Sequence, residues 1–229
     1  WQMTSEQAKG VQQELAIKVS RRNELKTVSL VAGVDISAPN AAGLARAAVV
    51  VLNYPELTLL EKKVIMKEVT FPYVPGLLSF RESPLLIAAC EGLKVTPDLI
   101  LVDGQGIAHP RRLGLASHLG LLWDMPTIGC AKSRLCGEHS VVPPEPGSYV
   151  KITDNKEVIG AALRTKTGTA PLYISIGHKV DLETATYWVL RCCKGQRLPE
   201  PTRLAHLAAS GHLEVTEPPK MQTQMRLGI

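Results

Sequence analysis

LILVDGQGIAHP, residues 99–110, is an apolar run that ends in a carboxylate and two glycines. Leu99 to Val102 is long enough for a buried strand, and Asp103 closes it. Open α/β sheets gather their ligands at the carboxyl ends of strands, so Asp103 stands where one is expected. Gly104 and Gly106 let backbone come close to such a ligand. After Pro110, the apolar positions Leu113, Leu115, Ala116 and Leu119 predict a helix from about Arg112 to Leu122. Taken alone, Asp-Gly is also ordinary turn chemistry. A second stretch of the same form shifts the balance: Val28 to Val34 is apolar, and Asp35 ends it before Ile36 and Ser37.

Around these two stretches the chain reads as an ordered series of elements. Ser5 to Arg21 has a helical pattern, with Val11, Leu15 and Val19 on one face and Lys9, Gln12, Glu14 and Lys18 around it. Leu30 to Ile36, Ala45 to Asn53 and Leu57 to Val69 are β-like, and Tyr54-Pro55-Glu56 turns the last two into a hairpin. A helix over Leu77 to Lys94 follows, then the strand ending in Asp103. Thr127 to Ala131, Tyr149 to Ile152, Val158 to Leu163 and Leu172 to Ile176 are further strands, with a proline-rich excursion over Val141 to Ser148. Asp181 to Cys193 is a helix with Asp181 as its N-cap, and Arg203 to Ala209 is the last helix. A three-strand antiparallel meander that passes into helix, strand, helix, strand is the order of a ribonuclease H-like α/β fold. It predicts a mixed sheet with parallel strands, flanked by helices. In that architecture the first and fourth strands lie side by side, so Asp35 and Asp103 face one cleft. Residues 1–210 are expected to form a single catalytic domain, and 211–229, polar and proline-bearing without periodicity, a flexible tail.

The start of the Leu77–Lys94 helix has two readings. Ser79-x-x-Glu82 fits a capping box, which gives Glu82 a structural task. Pro84 at the first helical position, capped by Ser83, fits better and leaves Glu82 just outside the helix, free for chemistry. Before it, FPYVPG at 71–76 is a stiff loop, because each proline biases the residue before it towards extended backbone. Either Tyr73 packs back on the core or its ring points out to meet a partner.

Composition narrows the function classes. With 229 residues, one domain is the default, and 45% hydrophobic residues make it globular. A formal net charge of +5 leans towards polyanions without establishing nucleic acid as a partner. Few aromatics argue against a broad base-stacking platform. Five cysteines without a CxxC pair read as reduced, intracellular thiols, neither a disulfide frame nor a zinc site. No apolar run approaches the ~20 residues of a membrane span, and no charged-then-apolar leader is apparent. The expectation is a cytoplasmic protein with no membrane association.

Two or three converging carboxylates without cysteine ligands suit a hard cation, Mg²⁺ or Mn²⁺, held with several waters and a substrate phosphate. Such an ion activates water and neutralises the charge developing on a phosphodiester. Unpaired carboxylates repel one another, a further reason to expect a cation where they meet. Lys132, at the end of the Thr127–Ala131 strand, is a natural electrostatic partner for that phosphate. Arg111, Arg112, Arg164 and Lys166 are candidate phosphate contacts, with solvation at the surface as the alternative for each.

AGVDIS at 32–37, FPYVPGLLSFRESP at 71–84, LILVDGQGIAHPRRLGLASHLG at 99–120, PTIGCAKSRLCG at 126–137 and LPEPTRLAH at 198–206 together resemble the endonuclease V family. These are deoxyinosine-directed repair nucleases, and the likeness is to the bacterial branch, over about residues 5 to 209. The resemblance implies that Asp35 and Asp103 bind the metal and that Glu82 completes the acidic triad. His206 falls at a fourth position, Asp in some members and His in others, which leaves one-ion and two-ion arrangements open. Lys132 corresponds to a lysine near the scissile phosphate. Tyr73, framed by Pro72, Val74 and Pro75, resembles a wedge that fills the gap left by a flipped base. The implied reaction cuts the second phosphodiester 3′ to the lesion, leaves 3′-hydroxyl and 5′-phosphate ends, and uses Mg²⁺ with Mn²⁺ as a substitute.

Hypoxanthine lacks guanine's exocyclic amine and carries oxygen where adenine has an amine, so a tight pocket lined by backbone can discriminate both ways. Gly76, Gly104, Gly106 and Gly114, with Leu78 and Leu135 as apolar walls, are the expected lining, and His109 either touches the strand or braces Tyr73. The expected partner is DNA containing deoxyinosine, bound by a monomer. Alternatives are an endoribonuclease for inosine in single-stranded RNA and a non-catalytic inosine-binding module. An actin-like small-molecule kinase would need a second duplicated half, for which 229 residues leave no room.

Overall fold

The computed structural model describes residues 1–213. The elements in order are α1 (Ser5–Ala16), β1 (Leu30–Ile36), β2 (Leu44–Asn53), β3 (Leu59–Glu68), α2 (Leu78–Cys90), β4 (Leu99–Val102) and α3 (Leu115–Trp123). Then come β5 (Thr127–Ala131), β6 (Tyr149–Asp154), β7 (Glu157–Leu163), β8 (Leu172–His178), α4 (Leu182–Arg191) and α5 (Glu200–Ala209). One eight-stranded sheet runs β3-β2-β1-β4-β5-β8-β7-β6. The β1-β2-β3 meander is antiparallel, β1-β4-β5 are parallel, and β8 returns antiparallel to β5. This is the mixed, helix-flanked sheet that the element order predicts.

The two faces of the sheet bury different helices. Ala32, Val34, Val49, Val51, Ile100 and Val102 pack against Leu85, Leu86, Leu115 and Leu119 of α2 and α3. On the opposite face, Ala48, Val50 and Leu52 meet Ala205, Ala208 and Ala209 of α5, while Leu99, Leu101 and Ile128 share a cluster with Ala185 and Val189 of α4. The four residues of β4 are all buried, as a central parallel strand covered on both faces requires. All five cysteines are free thiols. Among the described residues, no helix is long and apolar enough to cross a membrane.

Several boundaries differ from the expected ones for identifiable reasons. α1 stops at Ala16 with Ile17 as its C-cap, and Ser20 beyond it is tied to the end of β8, its N–H donating to His178 Nδ1 at 3.1 Å and its carbonyl accepting from the Lys179 N–H. The helix buries Ala8 and Gln12, so Gln12 faces inward and not towards solvent. β3 begins at Leu59, since Leu57 takes a left-handed conformation at φ 55° in the preceding turn. The reading with Pro84 at the first helical position is wrong. α2 starts at Leu78 and carries Pro84 in its second turn, although the proline lacks an N–H for the ladder. Burial of Leu77 and Phe80 against Ala8 and Phe71 outweighs that one bond. Glu82 is therefore held inside the helix and does not stand free ahead of it. At the other end, Leu213 packs on the α5 cluster, and its carbonyl accepts from Lys62 Nζ at 3.0 Å. The remainder of the tail expected from 211 onward lies outside the described residues.

Candidate active site

The register of two parallel strands makes the site. Val34 pairs with Val102, so Asp35 and Asp103 are the next residues on neighbouring strands and emerge at the same end. α5 brings the third member. Gly33 of β1 lies flush against α5, where a Cβ would come within 2.0 Å of the Pro201 carbonyl oxygen. A glycine is needed for that approach. It seats α5 on β1, and His206 Nδ1 reaches Asp35 Oδ2 at 2.7 Å. Ligand atoms of Asp35, Asp103 and His206 all lie within 4.8 Å of one another, and together they could hold a metal ion. Lys132, just past the end of β5, places Nζ 2.6 Å from Asp103 Oδ2.

The electrostatics agree with a cation site. Burial, and then the charge of Asp103, raise the Asp35 carboxyl above its ordinary range, while bonds from His206 and the Ile36 N–H act the other way. Burial, followed by Asp35 and Asp103, pushes Glu82 up to about 8. Glu82 is thus close enough to feel both aspartates, yet it falls outside the group whose ligand atoms lie within 4.8 Å. Two carboxylates and an imidazole form an oxygen-rich set suited to a hard divalent ion. A bound cation reverses the local pKa logic and favours the ionised carboxylates. Cation affinity should therefore rise with pH as Asp35 and Glu82 lose their protons, up to about 8 for Glu82. Calorimetric titration with Mg²⁺ across this range checks it, and an affinity independent of pH would contradict it.

A cavity of about 170 Å³ opens beside the cluster, beginning at Gly104, the residue after Asp103. Gly76, Leu78, Gly104, Gly114 and Leu135 line it, as do Tyr73, Val74, Pro75 and His109. Gly106 does not belong to it. Its N–H donates to Ser175 Oγ, and a Cβ there would meet the Ile176 carbonyl oxygen at 2.0 Å, so this glycine serves the contact with β8. Tyr73 is 73% exposed, Leu78 42% and Leu135 51%, an apolar rim around one opening. Such a rim on an otherwise buried apolar set marks a binding surface. Phe71 and Leu77 anchor the loop in the cluster formed with Ala8 and Phe80, and Pro72 is exposed. Tyr73 therefore points outward and does not pack on the core.

A second groove, which contains Arg81 and Glu82, shares Tyr73 and Leu78 with the first. These two side chains stand between the apolar cavity and the groove that holds Arg81 and Glu82. Sequence reasoning missed five residues of the apolar cavity's lining: Gln12, Ser79, Leu113 and Leu115, which are buried, and the half-buried Gln105. Three of the four basic residues expected at phosphates have structural partners. Arg112 is 2.8 Å from Asp154 and 2.6 Å from Glu157, and Arg164 donates to the carbonyls of Val142, Pro143 and Thr169. Arg111 donates to the Gly76 carbonyl and to the Gln12 side chain.

Comparison with known proteins settles the class. The family model for endonuclease V matches residues 13–207. The chain belongs to the endonuclease V family. An endonuclease V from Dehalococcoides mccartyi is 55% identical over 210 residues, which are 92% of this chain and 94% of that one. The crystal structure of endonuclease V from Streptomyces avermitilis superposes with a TM-score of 0.88 at 39% identity, covering 92% of this chain and 93% of the other. Endonuclease V from Ciona intestinalis, solved in complex with a 23mer DNA containing an inosine followed by a ribo-adenosine, superposes with a TM-score of 0.76. It is 30% identical, over 91% of this chain and 98% of its own. Membership of endonuclease V makes this protein a nuclease that hydrolyses phosphodiester bonds.

Proposed function

We propose that this endonuclease V is a DNA repair enzyme that recognises deoxyinosine and hydrolyses the second phosphodiester 3′ to it, leaving 3′-hydroxyl and 5′-phosphate ends. Residues 1–210 form the catalytic domain, which works as a cytoplasmic monomer. The observation that carries this reading is the Val34–Val102 register, which sets Asp35 and Asp103 beside each other, with Gly104, the residue after Asp103, lining the apolar cavity. Mg²⁺ is the cation, with Mn²⁺ able to replace it; Asp35, Asp103 and His206 would hold it, with Glu82 adding charge from nearby. When bound, the cation supplies an activated water and offsets the charge on the phosphodiester.

The side chains divide the remaining work. Lys132 offers a positive charge next to Asp103 that a substrate phosphate can share. Flipping costs least for a mispaired base, which favours a deaminated adenine over a paired one. Tyr73 fills the vacated place in the stack. The flipped base enters the cavity between Gly76 and Gly114, with Leu78 and Leu135 at its sides. Gly114 lies flush against the 105–106 backbone, where a Cβ would meet the Gln105 carbonyl oxygen at 2.3 Å, so this lining position takes only glycine.

The test is cleavage of labelled duplex DNA with one deoxyinosine, beside a matched adenine duplex and a single-stranded RNA with one inosine. Cutting of the inosine duplex alone, or in clear preference, is expected. Preference for the RNA would favour the endoribonuclease reading, and binding without cutting in Mg²⁺ would favour a non-catalytic module. In the same assay, Tyr73→Ala should weaken affinity for the inosine duplex by about tenfold, near the 1–3 kcal/mol of one stacking contact, and spare the rate at saturation. Unchanged affinity would remove the wedge role.

A further inference from the structure

Gln12 lies on a helix for which composition and spacing suggest no part in the chemistry, yet its side chain is fully buried and lines the apolar cavity. Every polar atom of its carboxamide is engaged. Nε2 donates to the Leu113 carbonyl at 2.7 Å and to the Gly76 carbonyl at 3.0 Å, and Oε1 accepts from Arg111 Nε. Arg111 turns Nη2 onto the same Gly76 carbonyl at 2.8 Å, and His109 Nε2 adds a third donor at 3.1 Å. The Arg111 backbone N–H donates to His109 Nδ1 at 3.1 Å, which places the ring hydrogen on Nε2. Burial and the Arg111 charge lower the His109 pKa to about 4, so the ring stays in this neutral form.

Three donors thus converge on the carbonyl that ends the Tyr73 loop. Gly76 is left-handed at φ 78°, which turns that carbonyl inward, and a Cβ there would stand 2.7 Å from Arg111 Nη2. Gly76 forms one wall of the cavity, and Leu113 with Gly114 forms another. Only a primary amide carries two N–H donors and an acceptor on one planar head, so one side chain can tie both walls and hold the arginine. We propose that Gln12 is a positioning residue for base selection: it sets the distance between the Gly76 and Leu113 walls, and Arg111 locks it in place. This rests on the reading of the cavity as the base pocket. The bonds of Gln12 go to Gly76, Leu113 and Arg111 and to none of Asp35, Asp103 and His206, so its effect falls on selection and not on the hydrolytic step.

Gln12→Met keeps the length and bulk of the side chain while removing both donors and the acceptor. The experiment is single-turnover cleavage, with enzyme in excess over labelled inosine duplex and Mg²⁺ present, beside binding of an undamaged duplex and a Tm measurement. Gln12→Met should raise the half-saturating enzyme concentration about tenfold, as expected when the buried Leu113 carbonyl loses its side-chain donor and Arg111 Nε its acceptor. The plateau rate and the affinity for undamaged DNA should stay within about twofold. Gln12→Glu should fail to rescue, because a carboxylate accepts from Arg111 but donates nothing to either carbonyl. Arg111→Lys, at a partly exposed site, should give a smaller shift of about threefold. Unchanged selectivity in both Gln12→Met and Arg111→Lys would overturn the proposal. So would equal losses on inosine and undamaged DNA with a lowered Tm, the signature of a purely structural role. Wild-type enzyme without preference for inosine would instead overturn the pocket reading on which the proposal stands.

Discussion

Asp103→Asn is expected to abolish strand cutting, by about a thousandfold or more, while binding to inosine-containing DNA remains measurable. The carboxylate lies beside Asp35 through the pairing of Val34 with Val102, and its replacement takes a charged oxygen ligand from the cluster. The transition-state stabilisation at stake is several kcal/mol. The fold should not suffer. Asp103 raises the pKa of both Asp35 and Glu82, so the carboxylates crowd one another without a cation. Neutralising one relieves that repulsion and leaves Lys132, 39% exposed, to be solvated. The Tm of Asp103→Asn should equal or exceed that of the unaltered chain, a case of function held at a cost in stability. Single-turnover cleavage and a thermal melt check both halves, and normal cutting by this variant would remove Asp103 from the metal site.

Lys132→Ala is expected to lower the single-turnover rate at saturation by about 10²–10³, the usual loss when one preorganised electrostatic donor is removed from an active site. The effect on affinity should be smaller. In the present geometry Nζ is 2.6 Å from Asp103 Oδ2, so the ammonium lies at the carboxylate cluster and not on an outlying DNA-contact surface. Lys132→Arg should recover part of the rate by keeping the charge, but with a planar fork in place of a point charge. A variant whose affinity falls while its rate at saturation holds would make Lys132 an ordinary backbone contact.

The positions of the carboxylates are legible in the chain because two short apolar runs each end in Asp, and because the element order places those runs side by side. Local pattern carries both facts. It fails at Pro84, where a rule about helix starts competes with the burial of Leu77 and Phe80, and burial wins. It fails also for Gly106, which differs from Gly104 only in facing β8, a partner about 70 residues further on that no local signal announces. The arginines mislead for a related reason. Arg111, Arg112 and Arg164 are long enough to find carbonyls and carboxylates elsewhere in the fold, and a bare sequence does not distinguish such a residue from a solvated one. Gln12 is hidden because glutamine on an amphipathic helix reads as surface. Its value comes from Gly76 and Leu113, 64 and 101 residues away.

Everything proposed for this enzyme depends on side chains at the ends of β1 and β4 gathering a divalent ion next to the cavity. Anomalous diffraction from crystals grown with Mn²⁺ tests it most directly. An anomalous peak is expected within coordination distance of Asp35 and Asp103, on the side towards Gly104, and is expected to vanish in Asp103→Asn. A peak that persists in Asp103→Asn, or Mn²⁺ bound elsewhere with none between these two carboxylates, would contradict it.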